Sequence, residues 1–307
     1  MNKGITNVAA SVRDRLLNRA RAENRPFNEL LQYYVIERFL YRLSRSQHAS
    51  HFVLKGALMI QVWGGHLGRS TKDIDLLGRS DNAVESVEAA IRDCLQVEVE
   101  DDGVRFDVAS IEGKEIVADA EYVGARIRFL AFVGEARLTV QVDVGFGDAI
   151  VPAPEPVSYP TLLDFEAPQL MGYPPESTIA EKLQAMVALD RANSRMKDFF
   201  DLWLLARDRE FEGKRLVEAI RSTFDRRDTP VPEEAPFGLS EEFAEDPLKQ
   251  TQWNAFLRKT RIAEPPPELG ELIALLHEFL MPPLRAASRH ESYQAIWSAG
   301  GPWKYVL

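Results

Sequence analysis

Gly68-Arg69-Ser70-Thr71-Lys72-Asp73-Ile74-Asp75-Leu76-Leu77 is the most informative run of this chain. Polar residues give way to acid alternating with apolar, the pattern of a half-buried strand. Side chains two apart on a strand share a face, so Asp73 and Asp75 aim at one small volume. Two such carboxylates repel each other unless a cation sits between them. Mg²⁺ is the natural occupant, with Mn²⁺ as an alternative, because it takes hard oxygen ligands and commonly binds through a few carboxylates plus substrate phosphates. Upstream, Leu54-Lys55-Gly56-Ala57-Leu58 reads as a glycine turn at a helix start, where backbone N–H groups can hold phosphate. Acids two apart are also common on solvated surfaces, so the motif needs company.

A third acid is available. Residues 126–132 and 137–145 read as strands joined by Val133-Gly134-Glu135-Ala136, a two-residue hairpin turn with Gly first. The second strand puts Leu138, Val140, Val142 and Val144 on one face and Thr139, Gln141 and Asp143 on the other. Beside Asp73 and Asp75, Asp143 would complete a three-carboxylate platform for in-line attack on a phosphate. The bland alternative is a polar residue on a solvated sheet face. Asp148 reads as a turn residue.

A second charged set follows. Glu176-Ser177-Thr178-Ile179-Ala180-Glu181-Lys182-Leu183 opens one helix, and Lys197-Asp198-Phe199-Phe200-Asp201 opens another. Lys182 could meet triphosphate oxygens as a point charge. Asp198 and Asp201 could pair with Lys182 or Arg191, or act on a substrate hydroxyl. Spacing by itself favours surface ion pairs, each worth about 0–1 kcal/mol.

The rest of the chain sets limits. A hydrophobic share of 45% with 27% charged residues is that of a soluble globular protein. One cysteine, Cys94, excludes an internal disulfide and suits a reducing cytoplasm. No apolar run approaches the roughly 18 residues of a membrane span, and the first residues do not read as a signal peptide. The five histidines lack metal-ligand spacing. A net charge of −10 argues against bulk nucleic-acid binding. Yet Arg13, Arg15, Arg19, Arg21, Arg25, Arg38, Arg42 and Arg45 crowd the start of the chain, interleaved with Tyr33, Tyr34 and Tyr41. That mixture suits either a track for RNA phosphates and bases or plain amphipathic helices.

The periodicity predicts two helices over 5–46, a helix over 52–64 entered through the Gly56 turn, and strand 73–77. A helix near 83–95, strand 104–110 and the hairpin 125–145 follow. Pro152, Pro154, Pro156 and Pro160 mark an extended connector. Helices are expected near 176–190, 196–207, 213–227, 248–258 and 270–280. An aromatic tail of Tyr293, Trp297, Trp303 and Tyr305 should dock on the body.

Taken in order, Gly56, Arg69-x-Thr71-x-Asp73-Ile74-Asp75-Leu76, Asp143, Ala180-Glu181-Lys182-Leu183, Arg191 and Lys197-Asp198-x-x-Asp201-Leu202 resemble the AbiEii/AbiGii toxin family. These are nucleotidyltransferase-like toxins of type IV toxin–antitoxin and abortive-infection systems, within the DNA polymerase beta superfamily. The resemblance implies an α/β (α+β) fold with a nucleotidyltransferase-type mixed sheet, an N-terminal helical pair and a C-terminal helical region. The implied domains are 1–50, 51–165 and 166–307. It implies that Gly56 and Ala57 lie at the phosphate turn and that Asp73, Asp75 and Asp143 hold the metal. Lys182 would meet the nucleotide and Asp198 would be the late catalytic acid, while Thr71 would place a hydroxyl near a phosphate or metal-bound water. The substrate would be an NTP and the acceptor RNA, with the tRNA 3′ end implied by the family, and an antitoxin would be the partner. Kinase-like phosphotransfer and a non-catalytic nucleotide sensor are the alternatives. The chain departs from the superfamily in carrying Gly56-Ala57 where Gly-Ser or Gly-Gly is usual. It also departs in a Gly64-Gly65-His66-Leu67-Gly68 loop that lengthens the approach to Asp73.

Overall fold

A computed structural model describes residues 7–64, 71–79, 82–118, 122–260 and 266–306. Arg69, His66 and the Gly65–Gly68 part of the loop lie outside the described residues. The chain divides into two units, Met1–Gly147 with Glu155–Gly172, and Asp148–Pro154 with Tyr173–Leu307.

The first unit begins with α1 (Val8–Ala22), capped by the Asn7 side chain, which accepts from the Ala10 N–H at 2.9 Å. Its buried residues, Val12, Leu16 and Ala20, recur every four positions and so form one stripe. In α2 (Phe27–Arg45) burial runs almost all round from Leu30 to Leu43. Then come β1 (Phe52–Lys55), α3 (Ala57–Gly64), β2 (Asp73–Gly78), α4 (Val84–Leu95), β3 (Val104–Ala118), β4 (Tyr122–Val133), β5 (Ala136–Phe146), β6 (Glu155–Ser158) and β7 (Gln169–Gly172).

Among the described residues, the strands form one mixed seven-stranded sheet in the order β3-β4-β5-β2-β1-β7-β6. The β4–β5 hairpin closes Val133 on Ala136 through Gly134, whose φ of +57° a side chain would resist. β2 joins β5 in parallel and β1 antiparallel, so the strand carrying Asp73 and Asp75 lies inside the sheet. Ile127, Phe129, Val140, Val142 and Val144 are buried, and Phe39 of α2 meets Phe129 with ring centroids 5.4 Å apart. This apolar face is the core; the alternate residues form the opposite face.

The sequence expectation fails at residues 52–55, which form strand β1 rather than the start of a helix. Val53 and Leu54 are buried, and apolar periodicity cannot separate a short buried strand from a helix end. The Pro-rich connector likewise holds β6, an edge strand, where Pro156 is tolerated.

The N-terminal arginines are largely structural. Arg42 forks onto Asp102 at 2.7 and 3.1 Å, both buried. Arg38 is buried and bonds the Glu166 carbonyl. Arg15, Arg19 and Arg25 pair with Asp164, Glu23 and Glu29. Tyr33 and Tyr34 are buried, so they offer no stacking platform. Arg38, Arg42, Tyr33 and Tyr34 thus serve the core, as amphipathic helices require, while Arg21 and Arg45 stay exposed.

The second unit contains α5 (Pro175–Leu189), α6 (Met196–Asp208), β8 (Phe211–Glu212), α7 (Gly213–Arg226), α8 (Glu241–Glu245), α9 (Pro247–Lys259), α10 (Leu269–Ser288), β9 (Ala295–Trp297) and β10 (Trp303–Tyr305). The last strands pair with β8 in a small sheet, β10-β9-β8. The aromatic tail docks as expected: Trp297 Nε1 donates to the Ala206 carbonyl at 2.7 Å, and Trp303 Nε1 to Phe279 at 3.0 Å.

Candidate active site

Register on the polar face of the first unit's sheet brings the acids together. One row across four strands reads Lys55, Asp75, Asp143, Arg126. The next row reads Asp73, Gln141, Arg128. Asp75 and Asp143 are direct partners in a parallel pair, and Asp73 is two residues along the same face. Asp73 is exposed; Asp75 and Asp143 are half-buried. Ile74, Val142 and Val144 point into the core, which fixes the acids on the open side.

Gly56 joins β1 to α3 with φ +71°, and the Asp75 carboxylate packs against it. A Cβ there would stand 2.8 Å from Asp75 Cγ and nearer still to Oδ2. Ala57, next to it, is the first residue of α3 and is buried. Thr71 is held by its backbone N–H, which donates to Tyr33 Oη at 3.0 Å. Its hydroxyl donates to the Asp73 carbonyl at 3.4 Å.

Asp143 is clasped from one side. Arg126 Nε and Nη2 donate to its two oxygens at 2.7 Å each, and Gln141 Nε2 adds a bond at 3.3 Å. These bonds hold the Arg126 guanidinium above its ordinary pKa against its burial, with the charges of Asp143, Asp73 and Asp75 adding to the effect. Among the described residues, no three acids, histidines or cysteines converge closely enough to hold a metal ion as they stand. The donor set still suits one. It offers hard carboxylate oxygens only, two on one strand face and a third in register beside them, which is magnesium-type chemistry.

The second unit holds the other set. Lys182 on α5 donates to Asp198 at 2.6 Å and to Asp201 at 2.9 Å, both on α6. Asp201 is fully buried and Asp198 nearly so. Arg191 turns instead to Glu242 on α8, at 2.7 Å. Two features of the molecule had no place in the sequence reading. Arg126 is one, although the Gly134-Glu135 turn fixes the register that sets it opposite Asp143. The other is Arg227, which bonds Gln184 at 2.8 Å and Asp148 at 3.1 Å, so Asp148 is an ion-pair partner as well as a loop residue. Nothing in the sequence near Arg227 points to Asp148, which lies far back in the chain.

A family model described as Nucleotidyl transferase AbiEii toxin, Type IV TA system, matches residues 38–275. No curated protein matches. Two solved structures are similar at a distance. JHP933 from Helicobacter pylori has 13% identity and a TM-score of 0.47, covering 86% of this chain and 93% of that one. An H. pylori protein described as a candidate nucleotidyltransferase has 14% identity and a TM-score of 0.46, covering 87% of this chain and 99% of that one. No helix among the described residues is long and apolar enough to cross a membrane.

Proposed function

The chain belongs to the AbiEii nucleotidyl transferase toxin family of type IV toxin–antitoxin systems, and from that premise we propose that it moves a nucleotide from an NTP to the 3′ end of tRNA, blocking translation. The observation that carries the reading is the register of Asp75 on Asp143, with Asp73 on the same face and Gly56 beneath Asp75. Asp73, Asp75 and Asp143 would hold a magnesium ion. When bound, the ion would neutralise phosphate charge and favour in-line displacement.

The chain's own groups do the rest. The N–H groups following Gly56, at Ala57 and the start of α3, face a phosphate with the positive end of the helix dipole. Without a serine hydroxyl at Ala57, that contact is backbone only. Thr71 steadies the entry to β2 through its bond to the Asp73 carbonyl. Lys182 is assigned to the nucleotide and Asp198 to the late acid by the resemblance, and their paired, mostly buried state supports a fixed geometry for both. In the transfer, the acceptor hydroxyl oxygen bonds the α-phosphorus, the bond to the β-phosphate oxygen breaks, pyrophosphate leaves and the hydroxyl proton is lost to a base. The antitoxin would be the partner that restrains this activity.

The deciding experiment incubates the protein with each α-³²P NTP, Mg²⁺ and total tRNA. Labelled tRNA is the expected product. Label appearing only from γ-³²P NTP would replace this reading with phosphotransfer. NTP binding without any labelled product would leave a nucleotide sensor.

A further inference from the structure

Arg126 places a positive charge among three acids. It faces Asp143 across β4 and β5, and its fork covers both Asp143 oxygens at 2.7 Å. Gln141 Nε2 also reaches Oδ2. Each carboxylate oxygen has about two lone-pair directions, so Oδ2 is filled and Oδ1 keeps one. Asp75 is the register partner of Asp143 on the other side. The Arg126 guanidinium therefore offsets the charge of Asp143, while Lys55 stands beside Asp75 at the other end of the row and Arg128 beside Gln141 in the next. A metal on Asp143 would draw on these same oxygens.

We infer that Arg126 is the resting counter-cation of Asp143 and competes with the divalent cation for it. The inference rests on the metal-site reading given under Proposed function. Arg126 is a positioning residue here: it governs whether Asp143 is available and does not itself contact substrate. A metal on Asp143 must share Oδ1 with the Arg126 Nε–H or displace a bond from Oδ2, so the site takes a metal less tightly than three unclasped carboxylates would. An ordinary cross-strand ion pair, with Asp143 outside the metal site, would have no such consequence.

The test is a Mn²⁺ titration of the full chain without nucleotide, reading free Mn²⁺ by electron paramagnetic resonance. R126Q keeps the side chain's stem and removes its charge. It should bind Mn²⁺ roughly tenfold more tightly than wild type, a change of about 1.4 kcal/mol. R126K, with its charge kept and its fork lost, should fall between the two, and it supplies the answer if R126Q does not fold. In a D143N background, R126Q should change Mn²⁺ affinity little. Unchanged or weaker binding in R126Q overturns the inference. Equal tightening in both backgrounds also overturns it, because the effect would then be long-range charge. D73N and D75N separate the two levels. If both bind Mn²⁺ as wild type does, the metal reading itself falls and takes this inference with it.

Discussion

The Asp75 carboxylate occupies the space that a side chain on Gly56 would fill. The turn that begins α3 and the acid in the middle of β2 are therefore one fitted unit, although 19 positions separate them in the sequence. The absence of a Cβ lets the carboxylate lie directly against the Gly56 backbone. Glycine is required here twice over, by φ +71° and by the neighbour.

Gly56→Ala should accordingly impair both stability and transfer. The left-handed backbone costs about 1–2 kcal/mol for a residue with a Cβ. Displacing Asp75 should lower transfer by at least about tenfold, since a small misplacement of reacting groups is enough for that. Thermal unfolding and the tRNA labelling assay check the two effects. Wild-type values in both would show that Asp75 moves aside without consequence.

Asp73→Ala and Asp75→Ala should abolish transfer and leave the fold intact. Asp73 is exposed, so its removal should change stability by no more than about 0.5 kcal/mol. Removing either acid also relieves repulsion within the set. Circular dichroism and labelling on the same preparation suffice. Full activity in Asp75→Ala with Mg²⁺ present would end the metal-site reading.

Lys182→Ala should do more than weaken nucleotide binding. It strips the cation from Asp198 and the fully buried Asp201, and breaking a buried pair from one side costs about 3–5 kcal/mol. A lower Tm is therefore expected along with weaker NTP binding. The double variant Lys182→Ala, Asp201→Asn should regain part of the Tm and none of the affinity. Affinity returning with the Tm would reduce Lys182 to a structural role.

The strands of the site were legible because one face is buried and the other is not. In β5, Val140, Val142 and Val144 alternate with Gln141 and Asp143, and a period of two leaves one assignment. The hairpin at Gly134 was legible from turn chemistry. Strand β1 was not, because its four residues carry no alternation: three in a row are buried. The small sheet of β8, β9 and β10 was invisible for another reason. Its strands are two or three residues long, and β8 lies far from its partners in the chain. The arginine-rich start stayed ambiguous because composition cannot tell Arg42, forked onto a buried Asp102, from the exposed Arg21.

That difference sets a prediction for the acceptor. Arg13→Gln with Arg21→Gln should leave the KM for RNA and its salt dependence unchanged. Each lost phosphate contact would otherwise flatten the log–log salt slope by roughly 0.7–0.9. Arg42→Gln should instead destabilise the first unit by about 3–5 kcal/mol, because it leaves Asp102 buried and unpaired. RNA titrations at several salt concentrations, with unfolding curves, test both halves. A flattened slope in the first variant would restore an RNA surface on α1.

Glu37 gives the fold a pH dependence of its own. It is fully buried on α2, accepts the Leu162 N–H at 2.6 Å and pairs with Arg38 at 2.7 Å. Burial raises its pKa from 4.5 to about 7, against the lowering effects of the Arg38 charge and the Leu162 bond. Between those two values the folded chain holds the proton more tightly than the unfolded one. This group's stabilising contribution is therefore full below pH 4.5, declines as pH rises and levels off above about 7. Its slope cannot exceed about 1.4 kcal/mol per pH unit. Glu37→Gln, which cannot titrate, should lose that slope whatever its absolute stability. The Tm of the variant relative to wild type should therefore climb between pH 5 and pH 7, in the window set by the two pKa values. Parallel Tm profiles would mean that Arg38 and the Leu162 N–H keep Glu37 ionised throughout, and that the buried pair is held by its partners more strongly than burial opposes it.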